Sequence, residues 1–230
     1  MHLSNSVAAS ETRHVDAHGL RIQVTLRGSD SGQPLLMLHG WPFTSYLWCR
    51  VTPALVAAGY RVIAPDLRGV GGTDRPMDGS DVESVSQDAD HLLDVLDVRE
   101  ARVVGFDLGA PVAWKLAMRH PERVQQLVVM EAMIGKLPGA ESFLANGPPW
   151  WFGFHAVPGL PETVVAGREA EYRGWFLSAR GPTHPPIDPA AIAVYTRPTG
   201  VQMHCAAASR ITGLCRSVHD RSRRSPHPSG

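Results

Sequence analysis

The stretch of sequence that decides the fold is Val103-Val104-Gly105-Phe106-Asp107-Leu108-Gly109-Ala110. An apolar run leads into it and a helical pattern follows it, so it predicts a strand, a very sharp turn and a helix. The small glycines of such a turn let strand and helix approach closely, while the central residue is pushed out and strained. That residue is Asp107, whose carboxylate can displace a leaving group at a saturated carbon and form an ester that water cleaves. By itself the motif favours an ordinary turn with a solvated aspartate, and the rest of the sequence has to decide.

Length and composition bound the classes of function. The chain has 230 residues and a formal net charge of zero, which fits one domain with an inserted cap and gives no reason to expect nucleic acid or membrane as a partner. No run approaches the roughly 20 apolar residues of a membrane span, and the opening residues do not form a signal peptide. The cysteines have neither metal-ligand nor disulfide spacing. We therefore expect a soluble, cytoplasmic protein without metal or cofactor.

Apolar runs alternate with amphipathic helical patterns over the first 130 or so residues. We predict buried strands at 34–38, 60–64, 101–106 and 124–130, preceded by a hairpin within 14–26, and helices at 45–58, 82–98 and from 108 to about 120. Such repeated units imply a mostly parallel sheet with helices on both faces. Ligands of these sheets bind beyond the carboxyl ends of the strands, where the sequence places His39, Asp66, Asp107 and Glu131. We expect Asp66 to fix a turn.

The character of the chain changes after residue 134. Prolines interrupt short helical pieces and aromatic residues become frequent, which predicts a helical cap that supplies an apolar pocket. The last thirty residues carry five arginines against one acid and show no sustained apolar periodicity, which is typical of disorder. The predicted domains are a core at 1–134, a cap at 135–200 and a basic tail at 201–230.

Four motifs in this order carry a resemblance to a known family. They are His39-Gly40-Trp41-Pro42, the loop from Asp66 to Gly71, the elbow around Asp107, and Trp151-Phe152-Gly153-Phe154. Over residues 12–198 the chain resembles the α/β-hydrolase superfamily, specifically epoxide hydrolases and the related haloalkane and haloacetate dehalogenases. The resemblance implies an α/β-hydrolase fold with a helical cap. It also implies hydrolysis of a small apolar substrate, an epoxide or alternatively an organohalide.

The resemblance assigns roles to individual residues. Asp107 matches the nucleophile, and the backbone N–H groups of Trp41 and Leu108 match the oxyanion hole. Glu131 matches the acid that orients a catalytic histidine. Tyr195 is similar to the cap tyrosine that protonates the epoxide oxygen, although packing in the cap is an equally open interpretation of its local sequence. At the second cap donor, where the family has Tyr or His, this chain has Trp151, whose indole is no practical acid.

The substrate pocket is expected to be lined by four residues: His39, Phe106, Trp151 and Phe152. For His39, which precedes a tight glycine turn, a structural hydrogen bond is the favoured interpretation over catalysis.

The family's histidine base and two further strands would follow the cap, and the sequence after residue 200 does not match them. We assign the base to none of His204, His219 and His227. The abrupt change predicts a truncated or frameshifted gene product, for which translation of the coding DNA in its other frames is the test. The alternative to an enzyme is a non-catalytic remnant that at most binds apolar small molecules or forms one covalent adduct. Strands absent beside 124–130 would leave an unprotected apolar edge.

Overall fold

The computed structural model describes residues 11–76, 78–132, 134, 145, 149–178 and 187–197. Within them a six-stranded sheet has the order β1-β2-β4-β3-β5-β6. The strands are β1 Glu11–Ala17, β2 Leu20–Arg27, β3 Gln33–Leu38, β4 Tyr60–Pro65, β5 Ala101–Phe106 and β6 Val124–Met130. β1 and β2 form an antiparallel hairpin, β2 is antiparallel to β4, and β4, β3, β5 and β6 are parallel to their neighbours. The predicted mostly parallel sheet is confirmed.

Three α-helices accompany the sheet: α1 Thr52–Ala57, α2 Val82–Val95 and α3 Gly109–Arg119. The helix predicted at 45–58 is divided, because a 3-10 helix at Ser45–Arg50 precedes α1. Pro53 at the start of α1 has no N–H to continue the earlier turn, which explains the division. α2 ends earlier than predicted, two residues before Asp97 takes a left-handed conformation with φ of 51°. None of the described helices is long and apolar enough to cross a bilayer.

Helices cover both faces of the sheet, as the alternating pattern predicts. On one face, α2 and α3 bury Leu92, Leu93 and Leu116 against the strands. On the other face, the 3-10 helix buries Trp48 against Met37 of β3 and its neighbours. Since β3 has β4 on one side and β5 on the other, the order of the strands reverses at β3 and β5. The carboxyl ends of strands at such a switch point are where α/β sheets bind ligands.

The strand β6 departs from the prediction of a buried strand. Its residues are half-buried or exposed, and Val128 has half of its surface accessible (50%). In the described part of the chain β6 pairs with β5 alone. The expected apolar edge stays a prediction, because the tail at 201–230, with its predicted disorder, lies outside the described residues.

In the described part of the chain, four short helices follow the core: α4 Trp150–Ala156, α5 Leu160–Val165, α6 Glu169–Ser178 and α7 Pro189–Thr196. Proline begins α7 and lies near the start of α5, where its missing N–H costs nothing. Asp188 caps α7 by accepting a hydrogen bond from the Ala190 N–H at 2.9 Å. We refer to these helices as the cap helices. The predicted cap at 135–200 also includes residues 135–144, 146–148, 179–186 and 198–200, which lie outside the described residues.

Candidate active site

The turn between β5 and α3 holds Asp107 in a left-handed conformation, with φ of 50°. A side chain on Gly105 would approach the backbone of Gly109 and Ala110 to less than 3.0 Å, so strand and helix do meet too closely for one. The Asp107 N–H donates to the carbonyl of Met130 at 2.9 Å, which ties the turn to the end of β6. A non-glycine residue at positive φ is strained, and the surrounding contacts have to hold it there.

Two backbone N–H groups bind the Asp107 carboxylate. The Trp41 N–H donates to Oδ1 at 2.8 Å across 66 residues of sequence, and the Leu108 N–H forms the second hydrogen bond. Burial raises the pKa of Asp107 to about 6, the two N–H groups act in the opposite direction, and the charge of Glu131 raises it further. The geometry favours a held carboxylate over a solvated aspartate in an ordinary turn, because the half-buried carboxyl group accepts hydrogen bonds from two backbone N–H groups.

Glu131 follows the last residue of β6 and is the second strained position of the site, with φ of 54°. The hydrogen bond between the Asp107 N–H and Met130 brings the two acids to one end of the sheet. The side chain of Glu131 is exposed. Its predicted role beside a catalytic histidine stays a prediction.

His39 and Asp66 support the loops of this end of the sheet. Both ring nitrogens of the buried His39 contact backbone: Nδ1 lies 2.9 Å from the Gly40 carbonyl, and Nε2 accepts from the Leu67 N–H at 3.0 Å. Burial lowers the pKa of His39. Because Nε2 accepts a hydrogen bond, it carries no proton and the ring is neutral. These contacts agree with the structural interpretation of His39, and a role in lining the pocket stays a prediction.

Asp66 is buried and accepts hydrogen bonds from three groups: the Ser45 N–H at 2.8 Å, the Gln23 side-chain amide at 2.7 Å and the Gly72 N–H at 3.0 Å. These contacts agree with the prediction that Asp66 fixes a turn.

Tyr195 of α7 is buried between two aromatic rings of the core. Its ring lies edge-on to Phe43 at 5.2 Å and to Tyr46 at 5.8 Å. Burial raises its pKa to about 12, with smaller contributions from Cys49 and Tyr46. The phenol therefore keeps its proton at neutral pH. Phe43 in turn contacts Phe106 at 6.0 Å, so Tyr195 reaches the elbow through one intervening ring.

The other predicted pocket residues, Trp151 and Phe152, belong to an aromatic group on α4 and α6. Trp151 contacts Phe152 at 6.1 Å and Phe176 at 5.6 Å. Phe176 lies edge-on to the Trp41 indole at 4.5 Å. The cap aromatics therefore meet the residue whose N–H binds Asp107, and lining of a substrate pocket by Trp151, Phe152 and Phe106 stays a prediction.

The sequence profile that describes the α/β-hydrolase fold matches residues 33–173. The chain belongs to this family. The matched range contains the elbow, both N–H donors, the first two cap helices and the first half of α6.

Among α/β-hydrolase relatives, the chain is 35% identical over 192 residues to epoxide hydrolase A of Mycobacterium tuberculosis, covering 80% of this chain and 59% of that protein. It is 28% identical over 195 residues to a fluoroacetate dehalogenase of a Burkholderia species, covering 81% of this chain and 63% of that protein. An epoxide hydrolase of Vigna radiata superposes with a TM-score of 0.73 at 25% identity, covering 92% of this chain and 75% of that one. The chain thus spans about three-fifths of the length of these two curated relatives.

Sequence reasoning missed two features of this α/β-hydrolase site. The first is Gly40, where a side chain would lie closer than 3.0 Å to the carboxyl group of Asp107. The second is a polar pair in the cap, His155 and Tyr172, whose rings lie beside Trp41. The His-Gly-Trp-Pro motif contains Gly40 but does not show that this glycine packs against Asp107. No local pattern links residues 155 and 172 to residue 41.

Proposed function

We propose that this α/β-hydrolase chain opens a small apolar epoxide through a covalent ester on Asp107. The observation that carries the proposal is the Asp107 carboxylate itself: it is held on a strained elbow, with one oxygen bound by the Trp41 N–H at 2.8 Å. Such a carboxylate has one oxygen restrained and the other available as a nucleophile. The similarity to proteins named epoxide hydrolases supports the choice of substrate class.

In the first step, Oδ2 of Asp107 attacks an epoxide carbon from the side opposite the ring oxygen. The carbon–oxygen bond of the ring breaks, and the oxygen leaves with the bonding electrons and takes up one proton. Tyr195 is our proposed donor of that proton, because it matches the cap tyrosine of epoxide hydrolases. Its pKa of about 12 means that the phenol holds a proton at neutral pH. The product of this step is a hydroxyalkyl ester on Asp107.

In the second step, water attacks the carbonyl carbon of the ester, negative charge develops on Oδ1, and the diol leaves as the Asp107 carboxylate is restored. The Trp41 and Leu108 N–H groups would stabilise that charge, the kind of contribution that is worth about 10² to 10³ in rate per donor. A base has to take the proton of the water, and Glu131 is our proposed partner for a histidine in that role. We assign the base to no residue of this chain, and expect the ester to accumulate to one equivalent.

The closest alternative is an organohalide substrate. A halide leaves without a proton, and the cap position where relatives have a proton donor carries Trp151, whose indole does not protonate a leaving group. The similarity to a fluoroacetate dehalogenase also favours this alternative. The nucleophile and its N–H donors would serve both reactions.

Covalent labelling tests the nucleophile. Incubation with styrene oxide should add one equivalent of mass to the peptide that contains Asp107, and Asp107→Asn should abolish the addition. Asp74→Asn is the matched control, since it removes a surface carboxylate that pairs with Arg21 at 3.3 Å. Labelling at another residue, or unchanged labelling of Asp107→Asn, would show that Asp107 is not the nucleophile.

Parallel incubations with styrene oxide and with haloacetates separate the two substrate classes. Diol or ester formation from the epoxide without halide release supports the epoxide, and halide release alone supports the alternative. Many equivalents of diol per chain would contradict the expected accumulation of the ester.

A further inference from the structure

The cap helices contain a polar pair, a buried histidine and a half-buried tyrosine, that the proposed reaction does not use. His155 on α4 is only 4% exposed, and its Nε2 lies 2.8 Å from the hydroxyl oxygen of Tyr172 on α6. Burial lowers the pKa of His155 to about 4, and Glu162 acts weakly in the opposite direction. The pair is therefore a neutral imidazole bound to a phenol at neutral pH. The buried imidazole loses its hydration, and the hydrogen bond to the half-buried phenol offsets part of that cost.

Both members of the pair lie against the Trp41 indole. The His155 ring is edge-on to it, with centroids 5.3 Å apart, and the Tyr172 ring is tilted against it at 6.1 Å. Phe176 lies one helical turn after Tyr172, on the same face of α6, and contacts the indole edge-on at 4.5 Å. Three rings from two helices thus surround one side chain of the core.

The backbone of Trp41 carries the N–H that binds Oδ1 of Asp107. Close packing of a side chain restricts the backbone to which it is attached, because cores have few alternative arrangements. A hydrogen bond between His155 and Tyr172 adds direction to this packing, since it fixes how each ring is turned. Trp41 therefore connects the two sites: its side chain contacts His155 and Tyr172, and its backbone N–H binds Asp107.

We propose that His155 and Tyr172 are positioning residues, which hold the Trp41 indole and thereby keep the Trp41 N–H directed at Asp107. The pair does not touch the reacting atoms. The inference rests on the proposed function only where it treats this N–H as an oxyanion donor, because the contact with Asp107 is present without substrate. In this way two residues of the cap helices would fix the direction of an N–H group in the core.

Amide hydrogen exchange tests the inference without any substrate. The measured quantity is the exchange rate of the Trp41 N–H divided by that of Val104, a central β5 amide that reports opening of the whole core. Tyr172→Phe and His155→Phe each keep a ring and remove the hydrogen bond, and each should raise this ratio about tenfold. Their combination should raise it no further than either alone. Tyr60→Phe, which removes a hydroxyl at the amino end of β4, should leave the exchange ratio unchanged. His155→Gln can still form a hydrogen bond with the phenol, so its exchange ratio should lie between those of wild type and His155→Phe.

Alkylation kinetics give a second readout. In Tyr172→Phe the rate of Asp107 alkylation at saturating styrene oxide should fall about tenfold, while the half-saturating concentration changes less than twofold. The pH midpoint of alkylation should also rise, because a weakened N–H contact no longer favours the carboxylate of Asp107.

An exchange ratio within twofold of wild type in both single variants would overturn the inference, whether or not their melting temperatures change. Failure of wild type to alkylate at Asp107 would instead remove the proposed function, and the exchange ratio would still decide whether the pair positions Trp41.

Discussion

Replacing Gly40 with alanine should disable Asp107 while leaving the sheet intact. The added Cβ would lie closer than 3.0 Å to three atoms of the Asp107 side chain, whereas ordinary contacts begin at 3.4 Å. The carboxyl group therefore has to move by at least several tenths of an ångström, away from the Trp41 N–H that it accepts at 2.8 Å. A misplacement of this order can cost about 10² in rate, because alkylation requires the attacking oxygen to be aligned with the epoxide carbon. We expect alkylation of Asp107 by styrene oxide to slow by about that factor.

The cost in stability should be modest by comparison. Inserting a methyl group into a well-packed site costs about 1 to 3 kcal/mol, and Gly40 has no positive φ that would add backbone strain. Gly153→Ala is the matched control, because its added Cβ meets nothing within 4 Å. The assay is the time course of the mass increase on the Asp107 peptide, with thermal unfolding followed on the same samples. A folded Gly40→Ala variant that alkylates within threefold of wild type would refute the argument.

Three further predictions follow from the charges and surfaces of the site. Asp107→Asn should stabilise the protein above pH 6: the pKa of Asp107 rises from 3.8 to about 6 on folding, so its contribution to stability is present below 3.8 and lost as the pH rises through 6. The gain should reach at most about 3 kcal/mol in chemical denaturation at pH 8 and vanish at pH 4; an equal gain at both pH values would contradict it. Wild-type alkylation should have its midpoint near pH 6, and Glu131→Gln should move that midpoint to lower pH, because the charge of Glu131 raises the pKa of Asp107; an upward shift would show that the charge acts otherwise. Val128→Lys should reduce self-association on a sizing column, since Val128 is half exposed on β6, which among the described strands pairs on one side only, whereas an unchanged elution profile would place the contact elsewhere.

Much of the architecture is local in origin and was predictable. The apolar runs of β3, β4 and β5, and the turn residues between them, indicate strands and helices whatever surrounds them. The elbow is the clearest case, because glycines at 105 and 109 with Asp107 between them permit one sharp turn, and the structure shows it. The order of the motifs was also sufficient to indicate the family.

Tertiary structure decided what covers each of these elements. Periodicity tells which residues are apolar, but not whether a neighbour lies over them, so the β6 strand was expected to be buried and is exposed. The hydrogen bonding of the Asp107 carboxylate likewise depends on a distant residue, because one of its donors is the N–H of Trp41, 66 residues away in sequence. The contact of His155 and Tyr172 with Trp41 joins a cap helix pair to a core loop. No spacing along the chain encodes such a contact, because it arises only when the two units pack.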